Sequence, residues 1–96
     1  MPTLEELRKD IDRVDTLLVR LLNERARCAC EIGEIKKAQN VEIYQPDREK
    51  QVLEHVRTVA AEGPLDPEAI ARLFERIIDE ARRLERRVVH GESKEQ

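Results

Sequence analysis

Tryptophan is missing from this 96-residue chain, one Tyr and one Phe are its only aromatics, and glycine and proline number three and four. With charged residues at 41% of the chain, that balance favours long, surface-charged helices over sheets, and the fold class expected is all-α. Continuous apolar runs are missing as well. The opening "MPTLEELRKDID" is acidic and carries no hydrophobic core, which excludes a signal peptide and a membrane anchor at this end and points to a cytoplasmic location. Excess positive charge is absent too. A net charge of -3 and a pI near 5.5 exclude a general phosphate-binding surface, so no nucleic-acid or anionic-membrane partner is expected and any anion site must be local. Cysteine is scarce: Cys28 and Cys30 stand two apart, on different faces of any helix, and cannot readily pair or chelate one metal. With His55 and His90 as the only histidines, no metal site is expected. Cys28 reads as a small core residue and Cys30 as a partly buried one.

What remains is patterned apolar sequence on a chain long enough for one domain and only a modest core of its own. Thr3 and Glu6 have capping-box spacing, and from Leu4 a heptad seam runs through Leu7, Ile11, Val14, Leu18, Leu21, Arg25, Cys28, Ile32 and Ile35. This predicts a first helix over about residues 4 to 38. Gly33 within it weakens the helix by roughly 1 kcal/mol relative to alanine and marks either a crowded helix crossing or the close approach of a ligand or another chain. A loop at 39 to 45 follows, and Pro46 suits the first turn of a second helix carrying Val52, Leu53, Val56, Val59 and Ala60 at helical spacing. Gly63 and Pro64 end it. Asp66 then reads as an N-cap and Pro67 as the first position of a third helix, with the seam Ile70, Phe74, Ile77, Ala81, Leu84 and Val88. The whole reads as a single domain over 1–96 with its core at about 4–88 and a frayed tail "HGESKEQ".

A first helix of this size is about 52 Å long at 1.5 Å per residue. A compact domain of similar length has a radius of gyration of only about 13 Å. Two shorter helices cannot cover such a seam, which predicts an intertwined dimer whose long helices run antiparallel and complete each other's cores.

Arg25 is the one seam position that is not apolar. Lys36, 11 residues on, returns to nearly the same face after about 16 Å of helix. An unpaired buried charge costs several kcal/mol, so Arg25 needs an anion from the protein or a ligand, or must reach out to solvent at a seam defect. Arg8 lies 28 residues before Lys36, about 42 Å along one helix. The two can serve one small ligand only if they come from different chains. "QPDRE" puts Arg48 and Glu49 in the first turn of the second helix, as a surface charge pair or leaning over the first helix. Glu85 borders the third seam, either as a surface carboxylate among "RRLERR" or as a site residue.

The stretches "LRKDIDRVDTLLVRLLNERARCACEIGEIK", "IYQPDREKQVL" and "IARLFERIIDEARRLE", in this order, resemble the AroQ class of chorismate mutases over about residues 4 to 88. The resemblance rests on the early arginine, "ID.VD..L..LL.ER", "IGEIK", "P.RE" and "LF..II". It implies an all-helical, intertwined homodimer with two equivalent sites, converting the small dianion chorismate to prephenate on the way to phenylalanine and tyrosine. By position, Arg25 and Lys36 match the family's substrate-binding arginine and lysine, and Arg8 the arginine delivered by the other protomer. Arg48 and Glu49 match its Arg-Glu pair, the glutamate being the expected partner of the ring hydroxyl. Glu85 matches the position that points at the ether oxygen. Two departures stand out: Gln45 replaces an acidic residue that many members use near the hydroxyl-bearing edge of the ring, and Ala81 replaces a serine that some place near a carboxylate.

The chemistry so implied is a [3,3] rearrangement that needs no nucleophile, metal or redox cofactor, so no cofactor is expected. Catalysis would come from holding a compact conformer and from donors aimed at the charge growing on the ether oxygen. Arg8 and Arg25 would clamp carboxylates, Lys36 and Glu85 would address the oxygen, and Arg48 would orient the cluster. An isochorismate pyruvate lyase on the same scaffold would keep the cations but tend to lack Glu49. A non-catalytic dimerisation or regulatory module would be expected to lose the cationic set. The chain runs only a few residues past the third helix, so a fused dehydratase, dehydrogenase or synthase domain, and feedback control within the chain, are not expected.

Overall fold

Thr3 Oγ1 accepts the Glu6 amide at 3.1 Å while Glu6 Oε1 accepts the Thr3 amide at 3.0 Å, and this reciprocal box opens α1, Leu4–Gln39. In the computed structural model, which describes residues 1–91, the chain folds into three helices with no strand among those residues. Asn40 closes α1 in the left-handed conformation, its amide reaching back to the Lys36 and Lys37 carbonyls. Pro46 occupies the first turn of α2, Pro46–Ala60, where a missing N–H costs nothing. Asp66 accepts the Glu68 amide at 3.1 Å and starts α3, Pro67–His90, which Gly91 ends at φ 66°. Residues 92–96, most of the expected frayed tail, lie outside the described residues. None of the described helices is long and apolar enough to cross a membrane.

Helix α3 packs against both α1 and α2. That double contact explains why its buried line differs from the predicted seam. Ile70, Phe74, Ile77, Ala81, Leu84 and Val88 are half-buried, whereas Ala71, Ile78 and Glu85 are the buried positions. A helix held between two neighbours buries the strip between its two contact faces, here one position along from the apolar seam. At the α1–α3 crossing sits Gly33. A Cβ there would stand 3.1 Å from Val88 Cβ and 3.2 Å from Glu85 Cα, so the glycine serves close approach of α3.

The chain's own core is thin. Ala29, Ala60, Ala71 and Ile78 are its buried apolar residues. Along α1, every residue from Leu4 to Leu21 is exposed, including the seam members Ile11 at 58% and Leu21 at 61%. The molecule measures 56 × 29 × 19 Å with a radius of gyration of 16.5 Å, well above the roughly 13 Å of a compact domain of this length. Cys28, expected in the core, is exposed instead, because it stands on this seam where the chain supplies no cover; Cys30 is half-buried as expected.

Candidate active site

Arg25, Lys36, Gln45, Arg48, Glu49, Ala81 and Glu85 all line one cavity of about 440 Å³, walled by α1, the loop before α2, the start of α2 and the middle of α3. Of the residues singled out from the sequence, Arg8 alone stays away, on the exposed first half of α1.

Lys36 ends α1 and is the hub. Its Nζ donates to Glu85 Oε1 at 2.7 Å and to the Ile43 carbonyl at 2.8 Å, with the two side chains only 14% and 10% exposed. The partner of Glu85 is thus a lysine from another helix rather than an arginine of "RRLERR", and Glu85 sits inside the crossing rather than at the seam edge. A sign was available: Ala71, Ile78 and Glu85 repeat every seven residues.

Arg25 makes no ion pair among the described residues. It is half-buried with its guanidinium carbon 5.9 Å from the centre of the Phe74 ring, a cation–π contact that offsets part of its desolvation. Arg48 is exposed on α2 and likewise unpaired among the described residues. Glu49, its neighbour, faces another way and meets Arg82 of α3 at 3.1 Å. Gln45 turns its amide to the Glu42 carbonyl at 3.0 Å. Ala81 offers only a methyl group.

Sequence reasoning missed Arg82. It lines the cavity, pairs with Glu49 and Asp79, and lies 5.5 Å from the Tyr44 ring centre. Its spacing between Ile78 and Glu85 was the available signal. A second, larger and mainly apolar hollow of about 670 Å³ adjoins the first, sharing Arg25, Arg48 and Val52 and bounded by Val56, Val59, Leu65, Ile70 and Phe74. Lys36, Glu49, Arg82 and Glu85 line only the smaller one.

Fold and cavity define a helical protein whose cleft gathers more cations than carboxylates on residues from all three helices. The chorismate mutase type II family model matches residues 7–86, and the chain belongs to that family. It is 41% identical over 91 residues to the bifunctional chorismate mutase/prephenate dehydratase of Aquifex aeolicus (strain VF5), covering 92% of this chain and 25% of that protein. With the protein of the same name from Neisseria gonorrhoeae (strain ATCC 700825 / FA 1090) it shares 42% over 88 residues, 88% of this chain and 24% of the other. The chorismate mutase of Methanocaldococcus jannaschii is 30% identical over 83 residues, 86% of this chain and 84% of that one. The chain therefore spans about a quarter of the length of its bifunctional relatives and most of the length of the last.

Proposed function

We propose that this chain is a chorismate mutase of the cytoplasm, one domain over about residues 4–88, that converts chorismate to prephenate in aromatic amino-acid biosynthesis. The observation that carries the reading is the convergence of Arg25, Lys36, Arg48, Glu49 and Glu85 on one cavity. Lys36 and Glu85 are in contact there, and Arg25 and Arg48 have no carboxylate partner among the described residues. Two uncompensated cations suit a dianionic substrate.

The rearrangement breaks the ether C–O bond as a C–C bond forms, with no proton gained or lost. The protein's work is to select the compact conformer and to stabilise charge growing on the ether oxygen. Arg25 binds one carboxylate, and its planar fork suits a bidentate grip. Lys36 has a third proton beyond those given to Glu85 and Ile43, free for the ether oxygen. Glu85 faces the same oxygen, Glu49 receives the ring hydroxyl, and Arg48 orients the group. Gln45 and Ala81 line the cavity without adding charge.

The active unit is an intertwined homodimer in which Arg8 of the partner chain supplies the remaining carboxylate contact. The exposed seam of α1 and the apolar hollow beside Arg25 support this arrangement. Burying that seam is the dominant favourable term for association, at roughly 25 cal/mol per Å² of apolar surface.

The test follows loss of chorismate absorbance and identifies the product. Prephenate is expected. Pyruvate would make the chain a lyase, and an unchanged substrate would leave a non-catalytic module. Lys36→Met should lower kcat by about 10²–10³, the usual cost of removing a donor to a developing oxyanion.

A further inference from the structure

We propose that Arg82 is a positioning residue of this site: it holds the Glu49 carboxylate where it receives the substrate's ring hydroxyl, and it cancels a negative charge that would otherwise repel a dianion. The inference rests on the chorismate mutase reading.

Arg82 is itself fixed from three directions. Its Nη2 pairs with Asp79 one turn earlier on α3, its guanidinium carbon lies 5.5 Å from the centre of the Tyr44 ring in the loop before α2, and its Nε stands 3.1 Å from Glu49 Oε2 at the start of α2. Both side chains of the Arg82–Glu49 pair are less than a third exposed, at 29% and 23%. Nε is buried and its hydrogen finds no aligned acceptor, so the contact with Glu49 is one of charge rather than a directed hydrogen bond. Glu49 Oε1 takes no partner among the described residues and stays free to accept. Arg48 cannot substitute, since adjacent residues on a helix do not face each other.

The charges in the cavity then fall into a pattern. Lys36 answers Glu85 and Arg82 answers Glu49, which leaves Arg25 and Arg48 as the cavity's two uncompensated cations facing the dianion. Without Arg82, the carboxylate needed to read the hydroxyl would offset one of them.

A double-mutant cycle tests this on the full chain with chorismate as the probe, using Arg82→Met, Arg82→Lys, Glu49→Gln and the Arg82→Met/Glu49→Gln double variant. Arg82→Met should lower kcat/KM about tenfold, largely through KM, and Arg82→Lys should recover part of the loss. In the Glu49→Gln background the same Arg82→Met change should alter kcat/KM by no more than about twofold. Equal losses in both backgrounds, or no loss in the first, overturn the proposal while the parent still makes prephenate. Circular dichroism and a thermal melt accompany each variant, and Arg82→Gln replaces Arg82→Met in the cycle if the latter does not fold. A parent that leaves chorismate unchanged instead fails the functional reading, and this proposal with it.

Discussion

Lys36 Nζ binds a carboxylate from α3 and a carbonyl from the loop at once, so the side chain that would meet the ether oxygen is held before substrate arrives. Glu85 raises a sharper question. As a carboxylate it accepts from Lys36 and aims that donor, but it would itself repel an oxygen gaining negative charge, where a neutral donor would help. Glu85→Gln should keep activity, because an amide of similar shape can donate to the ether oxygen. Glu85→Ala should lose activity, by about tenfold or more. Rates of the three proteins decide, and an alanine variant with the parental rate would remove Glu85 from the mechanism.

At the scale of the helix, the box at the start of α1 makes a measurable claim. The Thr3 backbone amide, and after it the Thr3 hydroxyl, hold the Glu6 carboxyl below the ordinary glutamate value. A group with a depressed folded value contributes stability above its unfolded value and loses it as pH falls through the lower, folded one. The Thr3 amide resonance should therefore shift in acid with a midpoint below that of an unstructured glutamate, and Glu6→Gln should abolish the shift; a midpoint at the ordinary value would mean the box does not form. Boundaries of this kind were legible in the sequence because Thr3 with Glu6, Pro46, and Asp66 with Pro67 act through neighbours a few residues away. Contacts between helices were less so. Glu85 finds Lys36 across 49 residues, and the spacing of Arg82 between Ile78 and Glu85 places it near the crossing without revealing Glu49, whose position depends on where α2 begins. Cys28 was misread because its seam position is apolar in pattern yet uncovered by its own chain.

The whole molecule is elongated and leaves half of its longest helix uncovered. Folding and association are expected to be coupled, so the melting temperature should rise with protein concentration. Sedimentation showing a folded, active monomer at micromolar concentration would defeat this. Sharing of the site has its own check. Arg8→Ala and Lys36→Ala proteins should each be inactive, and unfolding and refolding them together should restore activity in heterodimers that keep one intact site. Heterodimers that form but stay inactive would count against a shared site.

The glycine at the α1–α3 crossing acquires a different meaning when α1 is treated as a lever. Gly33 is the fulcrum, with Lys36 three residues away on the short arm and Arg8 25 residues away on the long one. The long arm is about 37 Å, so a tilt of one degree moves Arg8 by roughly 0.7 Å, more than the roughly 0.5 Å within which a working site must hold its groups. A methyl group at Gly33 has to push aside Val88 Cβ at 3.1 Å and the α3 backbone at Glu85 at 3.2 Å. In the proposed shared arrangement, a displacement of a few tenths of an ångström at this crossing would be magnified into a misaimed guanidinium in the other protomer's site. The bare backbone of Gly33 would then set the aim of a residue that does not line its own chain's cavity.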